Sequence, residues 1–224
     1  MAAHLALNGK SFVEQLKAEM EGYLHKLDDT SLAGAASGKP ENVSALLKMA
    51  LKNEIEAAEI AAEWVASTPE LEAKLALARH AGDEARHYQL VAEKARELGV
   101  PLEGFDPLVP PSPVLTYLRS LSTTVERIAA ALVAREAMGG RRNAQFLKFL
   151  DAVGQKDIAQ LYRDVINPDE ERHHQAGSAV LARLAGTREA QEAARRAALR
   201  LLAIGDQVRT AAMEKTGAPV VPGC

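Results

Sequence analysis

The sequence predicts an all-α protein whose centre is a four-helix bundle, with two antiparallel hairpins joined by one long crossover. Three observations carry this prediction. Apolar residues recur at helical spacing along most of the chain, Gly and Pro separate the periodic segments, and no strand pattern of any length occurs. Hydrophobic residues make up 47% of the sequence and aromatic residues only 4%, which favours packed helices over sheets.

Helix boundaries follow from capping residues and helix breakers. The sequence SFVE from Ser11 offers a capping box for the first helix, and Ser67 or Thr68 followed by Pro69 offers a start for the third. Gly154 separates the fourth helix from the fifth, and the C-terminal tail is expected to be loose. Helices are therefore predicted at residues 11–27, 43–66, 68–98, 114–153, 156–184 and 187–215.

Two irregular segments connect these helices. Residues 28–42 form a loop rich in small residues, and residues 99–113 hold five of the ten prolines and are predicted to cross the bundle. We expect a single domain over residues 1–224. Its bundle core covers about 43–184, and one additional helix lies at each end of the chain.

Composition excludes several classes of protein. The net charge of −3 gives no electrostatic basis for binding nucleic acid or an anionic membrane. The single cysteine, Cys224, cannot build a disulfide framework or a cysteine-based zinc site. No run approaches the ~20 apolar residues of a membrane-spanning helix, and the N-terminus lacks a signal-peptide pattern. We therefore expect a soluble, cytoplasmic protein.

One motif occurs twice in the chain. GDEARHYQ at residues 82–89 and PDEERHHQ at residues 168–175 share the pattern D-E-x-R-H-x-Q. An acidic residue and a histidine three positions apart lie on one face of a helix, and in one register that face carries the apolar stripe. In that register the pairs are Glu84 with His87 and Glu170 with His173. The alternative pair, Glu171 and His174, falls on the polar side of its helix.

Two carboxylate–imidazole pairs that face one interior are costly unless a cation neutralises them. Two such pairs supply too few ligands for two metal ions, so the other two bundle helices should each donate a carboxylate at the same depth. Counting from the hairpin turns selects these carboxylates. Glu54 lies 14 residues before Thr68, close to the depth of the first motif, and Glu136 lies 18 before Gly154, close to the depth of the second.

The predicted metal ligands are Glu54, Glu84, His87, Glu136, Glu170 and His173. The alternative is a pair of structural salt-bridge networks between helices, which accounts for the charges but not for the duplicated motif or the matched depths. The neighbouring carboxylates Glu56, Glu59, Glu63 and Glu126 are interpreted as surface charges.

This pattern resembles the ferritin-like di-iron carboxylate proteins, in which two helices each supply a Glu and two others each supply Glu-x-x-His. The gaps of 30 residues from Glu54 to Glu84 and 34 from Glu136 to Glu170 are most similar to the oxygen-activating branch. That branch includes the bacterial multicomponent monooxygenases and the ribonucleotide reductase small subunit. The chain is far shorter than a monooxygenase catalytic subunit, so contacts with partner proteins do not carry over.

The resemblance implies further roles around the ligands. Asp83 and Asp169 would accept hydrogen bonds from the ligand imidazoles, and Arg86 and Arg172 would hold these aspartates. His80, one turn before the first motif, is interpreted as a hydrogen-bonded core histidine, with an outer-shell or accessory-ligand role as the alternative.

Small residues beside the ligands indicate either close helix packing or a pocket for O₂ or substrate. Gly139 and Gly140 lie one turn after the carboxylate of the fourth helix, and Ala57 and Ala58 take the same place in the second. A π-type distortion of the helix is a further alternative for the glycines. Pro168, directly before the second motif, either kinks its helix or restarts it.

Mixed carboxylate and imidazole ligation suits two iron ions that cycle between Fe²⁺ and Fe³⁺, with manganese as an alternative at one or both sites. The expected function is activation of O₂ for oxidation of a small apolar or aromatic substrate. An electron-donor protein and a homodimer are left open as partners. Peroxide reduction or iron handling, as in rubrerythrin-like and ferritin-like proteins, is the alternative. A helical interaction protein that has kept the site is a third class.

Overall fold

The computed structural model describes residues 6–28, 42–216 and 222–223, and within these ranges it contains seven helices and no strand. The predicted all-α class is therefore confirmed for the described residues. Most of the predicted loop at 28–42, and Cys224, lie outside them. Within the same ranges, no helix combines the length and the apolar character that crossing a membrane requires.

Five of the six predicted helices have both ends within three residues of the observed ones. The simple helices are α1 Gly9–Asp28, α2 Asn42–Ser67, α3 Leu71–Glu97, α4 Pro113–Arg119 and α7 Arg188–Thr216. Helix α5 consists of Thr124–Arg127, a π-helical stretch Ile128–Arg135 and Glu136–Ala152. Helix α6 consists of Lys156–Leu161, a π-helical stretch Tyr162–Ile166 and Asn167–Leu184.

The turn between α2 and α3 differs from the prediction. Ser67 and Thr68 were expected to cap the start of α3, but both hydroxyls donate to the Trp64 carbonyl, Thr68 at 2.8 Å. They therefore satisfy the end of α2, where carbonyls lack intrahelical partners. Helix α3 begins at Leu71 behind Glu70, whose side chain makes no capping hydrogen bond.

The helix predicted at 114–153 is wrong, because the chain breaks between α4 and α5 at residues 120–123. Thr123 and Glu126 form a reciprocal capping box there, in which the Glu126 N–H donates to the Thr123 hydroxyl and the Thr123 N–H donates to the Glu126 carboxylate. The Thr-x-x-Glu sequence was the available signal for this helix start. Glu126 thus serves as a cap, on an exposed part of the surface.

Pro168 does not restart α6, which was one of the two alternatives for it. The π-helical stretch Tyr162–Ile166 lies two residues before it, and the helix continues through Pro168 to Leu184. A wide turn at this place accommodates a residue that has no N–H to give to the preceding turn. Glu170 and His173 therefore lie on a continuous helix that runs from Lys156.

A polar level separates two apolar clusters in the middle of the molecule. Helices α2, α3, α5 and α6 each contribute to both clusters, which gives the four helices a shared interior. Contributions to the first cluster include Ile60, Leu77, Leu132 and Leu181. Contributions to the second include Leu47, Val91, Phe146 and Ile158. On each of the four helices, the predicted ligands lie along the chain between the residue named for the first cluster and the residue named for the second.

The terminal helices and part of the tail cover this interior. Phe12 and Leu16 of α1 and Leu201 of α7 are buried in the first apolar cluster. The expectation of a loose tail is wrong for Pro222 and Gly223, which are both buried. Both residues also make hydrogen bonds to side chains of the bundle helices.

Asparagine side chains from α2 and α5 bind the described part of the tail. Asn53 Nδ2 donates to the Pro222 carbonyl at 2.6 Å, and the Gly223 N–H donates to Asn143 Oδ1 at 2.9 Å. A Cβ added to Gly223 would lie 2.9 Å from Asn53 Cβ and 3.4 Å from Glu54 Oε1. The tail therefore reaches the edge of the polar level.

Candidate metal centre

Four helices bring seven buried acidic and histidine side chains to one level, which could bind metal ions. The six predicted ligands are all among them, and His80 is the seventh. They form two groups that share Glu84, and within each group the candidate ligand atoms all lie within 4.8 Å of one another. One group comprises His80, Glu84, Glu136 and His173, and the other comprises Glu54, Glu84, His87 and Glu170.

The first group, which we call the His80 site, contains two imidazoles. His80 Nε2 lies 2.9 Å from Glu136 Oε1 and 3.4 Å from Glu84 Oε1. His173 Nδ1 lies 3.3 Å from the same Glu84 oxygen and 3.6 Å from Glu136 Oε2. Two nitrogens and two carboxylates therefore surround one point.

The second group, which we call the Glu54 site, contains one imidazole and three carboxylates. His87 Nδ1 lies 3.4 Å from Glu54 Oε2, 3.8 Å from Glu84 Oε1 and 4.0 Å from Glu170 Oε1. These separations exceed those of good hydrogen bonds and suit side chains that surround a cation. Glu84 Oε1 faces both groups, so this carboxylate is placed to bridge two ions.

The donor set fits two divalent cations. Four carboxylates carry four negative charges, which two dications neutralise while the three imidazoles stay neutral ligands. Both carboxylate oxygens of Glu54 and of Glu84, and Nδ1 of His87 and His173, are buried without a hydrogen-bond partner of good geometry. Such atoms are costly in a protein interior unless a ligand satisfies them.

Protons can neutralise the same cluster when no cation is bound. Burial, followed by the charge of Glu84, raises the pKa of Glu54 to about 8. Burial and the charge of Glu136 raise the pKa of Glu170 well above its ordinary value. Burial lowers the pKa of His87, but its contacts with Glu54 and Glu84 outweigh that effect and raise it to about 10.

Burial and neighbouring charges also oppose each other in their effects on pKa at the His80 site. For His173, burial lowers the pKa, and contacts with Glu136 and Glu84 raise it to about 10. For Glu84 and Glu136, burial raises the pKa, but the neighbouring His80 and His173 hold both values below the ordinary range. Two imidazolium groups thus balance two ionised carboxylates, while Glu54 and Glu170 keep their protons.

The outer nitrogens of two imidazoles bind aspartates of the opposite helix. His87 Nε2 of α3 lies 3.0 Å from Asp169 Oδ2 of α6, and His173 Nε2 of α6 lies 3.0 Å from Asp83 Oδ2 of α3. Because an ionised carboxylate only accepts hydrogen bonds, both Nε2 atoms carry the hydrogen and both Nδ1 atoms point at the cluster. This exchange fixes the orientation of both rings.

The two arginines of the repeated motif both reach the same aspartate. Arg172 contacts Asp169 in a close ion pair, and Arg86 Nη1 lies 3.6 Å from Asp169 Oδ2. The resemblance implied that these arginines hold both aspartates, and the ion pairs seen here place both of them on Asp169. Asp169 is nearly fully buried and draws both cations, whereas the side chain of Asp83 is 31% exposed and is partly solvated.

One open cleft of about 420 Å³ reaches the cluster between α1, α5 and α6. Its lining includes the candidate ligands Glu136 and Glu170, and Gly140 leaves space, since nothing lies within 4 Å of a Cβ added there. The remaining lining residues are Glu21, Leu24, Ala137, Arg141, Asn167, Glu171 and His174.

The small residues predicted to form a pocket divide into two kinds. Gly140 lines the cleft, whereas Ala57, Ala58 and Gly139 are buried in the packing between helices. The π-helical stretch expected as an alternative at the glycines lies instead directly before Glu136. A π-helical turn changes the direction in which the following side chains point, and such turns are common at functional sites.

The alternative motif pair lies beside the centre. Glu171 is exposed and, like His174, lines the cleft. The His174 Nδ1–H donates to the Val133 carbonyl at 3.0 Å, within the π-helical stretch of α5. Burial lowers the pKa of His174.

The interpretation of His80 as a hydrogen-bonded core histidine is confirmed by its burial and its contact with Glu136, whereas the interpretation of Glu56 as a surface charge is wrong. His80 lies four residues before Glu84, on the same helix face, which was the signal for a seventh candidate ligand. Glu56 was expected at the surface but is only 1% exposed. It accepts hydrogen bonds from the Ser112 N–H at 2.8 Å and hydroxyl at 2.5 Å, and pairs with Lys52. Because the crossover folds over α2 at this point, no helical periodicity could predict its burial.

Comparisons with known proteins found no matching family model, no matching curated protein and no matching solved structure.

Proposed function

We propose that this chain is a ferritin-like dinuclear iron protein that uses O₂ to oxidise a small organic molecule. The observation that carries the proposal is the convergence of four buried carboxylates and three imidazoles around two points, with Glu84 shared between them. A salt-bridge network would leave fewer buried oxygens without partners than Glu54 and Glu84 present. Two divalent cations satisfy this donor set and balance its charge.

Iron suits the ligand types. Imidazole and carboxylate together favour iron or manganese, and neither group contains a thiolate that would favour softer metals. Two ferrous ions held by these residues would supply two of the electrons needed to reduce O₂. Sequence resemblance to the oxygen-activating carboxylate proteins supports this chemistry over hydrolysis.

The residues around the two ions would orient the ligand side chains and shield the ions from water. Asp83 and Asp169 keep the Nδ1 atoms of His173 and His87 directed at the cluster. The apolar clusters above and below the polar level exclude water from both ends. The edge formed by Glu136 and Glu170 faces a cleft, in which Gly140 leaves room for a substrate.

The cleft has an apolar and a polar side. Leu24, Ala137 and Gly140 offer contact to an apolar or aromatic part of a substrate. Glu171 and Asn167 offer hydrogen-bond acceptors. A small organic molecule would lie here next to the carboxylates Glu136 and Glu170, and so next to bound iron.

Anaerobic loading with Fe(II) followed by a measured addition of O₂ tests the proposal. We expect two Fe(II) per chain, oxidation of both by O₂, and no further iron uptake. Metal content and Mössbauer spectra would report the stoichiometry and oxidation state. A chain that stays folded and free of metal under these conditions would contradict the proposal.

Iron handling is the second candidate, and the acidic cleft favours it. Four carboxylates, those of Glu21, Glu136, Glu170 and Glu171, line the cleft against one arginine, Arg141, which pairs with Glu21 at 2.8 Å, and this excess of negative charge attracts divalent cations. The same experiment separates the two functions. Continued uptake beyond two iron ions per chain would indicate iron storage, and faster oxidation by hydrogen peroxide than by O₂ would indicate peroxide reduction.

A further inference from the structure

The two cation sites differ in their ligands. The His80 site offers two imidazoles and two carboxylates, whereas the Glu54 site offers one imidazole and three carboxylates. We infer that the two sites are chemically inequivalent, so that the His80 site selects iron and the Glu54 site is the one that accepts manganese. The inference rests on the proposed dinuclear centre but not on its reaction with O₂.

The sequence contains the origin of this difference. The two copies of the motif are equivalent at Glu84 and Glu170 and at His87 and His173. Four residues before Glu84 stands His80, and four residues before Glu170 stands Ile166, which is fully buried in an apolar cluster. One turn of helix therefore adds a ligand to only one copy.

The geometry supports a ligand role for His80. It is 1% exposed, and its Nε2 is directed at two carboxylates of the centre, Glu136 at 2.9 Å and Glu84 at 3.4 Å. Its ring lies edge-on to the ring of His173, with centroids 4.7 Å apart. Both rings therefore face the same point between Glu84 and Glu136.

Ligand type decides which ion each site prefers. Affinity for nitrogen-containing sites rises from Mn²⁺ to Fe²⁺, and carboxylate-rich sites suit Mn²⁺ better than imidazole-rich sites do. A site with one more nitrogen and one fewer carboxylate discriminates more strongly against manganese. Chains offered both metals should therefore hold iron at the His80 site and exchange manganese mainly at the Glu54 site.

Competition between Fe(II) and Mn(II) in the full chain, without O₂, tests the inference. We expect two steps as Mn(II) is increased, with the second Fe(II) at least about tenfold harder to displace than the first. The amounts of iron and manganese that stay bound after desalting, measured at each Mn(II) concentration, show the two steps. A single step with equal displacement of both ions would overturn the inference while leaving two bound cations, whereas failure to bind two cations would end the proposed function itself.

His80→Gln replaces the nitrogen donor by an amide and keeps a hydrogen-bonding group beside Glu136. In this variant we expect Mn(II) to displace the second Fe(II) as easily as the first, because the altered His80 site would hold manganese as readily as the Glu54 site does. His25→Ala, at an exposed position on α1, is the matched control and should keep both steps. A His80→Gln variant with unchanged steps would show that His80 only holds Glu136 and would overturn the inference.

A spectroscopic count of nitrogens keeps the inference testable if His80→Gln fails to fold. One equivalent of Zn(II), which favours nitrogen ligands and is diamagnetic, would fill the His80 site of the unchanged chain. One equivalent of Mn(II) would then enter the Glu54 site. Electron spin-echo modulation should show one imidazole nitrogen coupled to Mn(II), that of His87, and two coupled imidazoles would overturn the inference.

Discussion

Glu54 and Glu56 lie two residues apart on α2, and both are buried, yet they do different things. Glu54 faces the other candidate ligands and has no hydrogen-bond partner of good geometry, whereas Glu56 binds Ser112 and Lys52. A period of 3.6 residues puts them on different faces of the helix. The direction of a carboxylate, more than its burial, therefore decides its function here.

This pair gives a direct test of the ligand set. Glu54→Gln should reduce affinity for one of the two cations at least about tenfold, because it removes a charge and a donor from the Glu54 site. Equilibrium dialysis against Fe(II) without O₂ measures this change. Glu56→Gln is the matched control, which should keep both cations and lose only about 1 kcal/mol of stability. Equal binding by both variants would contradict the ligand assignment.

Metal uptake should release protons. Without metal at pH 7, four side chains each hold one proton more than they would as metal ligands, because their pKa values are raised. They are Glu54, with a pKa of about 8, Glu170, and the two histidines His87 and His173, each with a pKa of about 10. All four lose it on binding two cations, so about four protons should appear.

The sign of the pH dependence follows from the same values. Protons compete with cations, so affinity should rise with pH, and the number of released protons should fall towards three above pH 8 as Glu54 ionises unaided. Calorimetry in buffers of different ionisation enthalpy counts these protons. Release of fewer than two protons at pH 7 would contradict the protonation pattern.

At the scale of elements, α5 and α6 approach each other closely at the π-helical stretch of α5. This stretch, Ile128–Arg135, packs against α6 where Gly177 faces Leu132. A Cβ on Gly177 would lie within 3 Å of the Leu132 backbone. This close approach holds Glu136 at the level of Glu170 and requires glycine for its lack of a side chain.

Gly177→Ala should therefore destabilise the chain by about 1–3 kcal/mol through overpacking, and should weaken metal binding because α5 moves away from α6. Gly82→Ala on α3 is the control, since nothing lies within 4 Å of a Cβ there, and it should stabilise its helix by up to about 1 kcal/mol. Chemical denaturation of the metal-free chains measures the stability of the two variants. Equal stability of the two variants would contradict the close approach.

At the scale of the whole molecule, the C-terminal tail meets the bundle beside the Glu54 site. Asn53 and Asn143 bind Pro222 and Gly223, and Gly223 has a φ of +87°, a conformation that favours glycine. Residues from α2, α5 and the end of the chain thus cover one side of Glu54. This covering should slow the exchange of the cation held there.

Gly223→Val should displace the tail, because its side chain would collide with Asn53 and its backbone conformation would be strained. We expect a chelator to extract one of the two cations several times faster from this variant, as measured by stopped-flow absorbance. Gly104→Val is the control, with a φ of +70° but open space around its Cβ. Unchanged extraction from Gly223→Val would show that the tail does not cover the site.

Much of the fold was predictable because helices depend on local signals. Periodicity and breakers such as Gly154 located five of the six predicted helices, and counting residues from the turns selected Glu54 and Glu136, which the structure brings to the level of the repeated motif. The break before Thr123 was missed, although its capping-box sequence was visible. That miss reflects an apolar pattern that continues across the break.

The sequence by itself determined the all-helical class, the repeated motif and the depth of each candidate ligand along its helix, because rise and period are fixed by backbone geometry. Only the tertiary structure decided that Glu56 is buried by the crossover, that both arginines contact Asp169, and that the tail reaches Glu54. These features depend on contacts between residues distant in sequence. Helical period gives the direction of a side chain, but not the residues that will surround it.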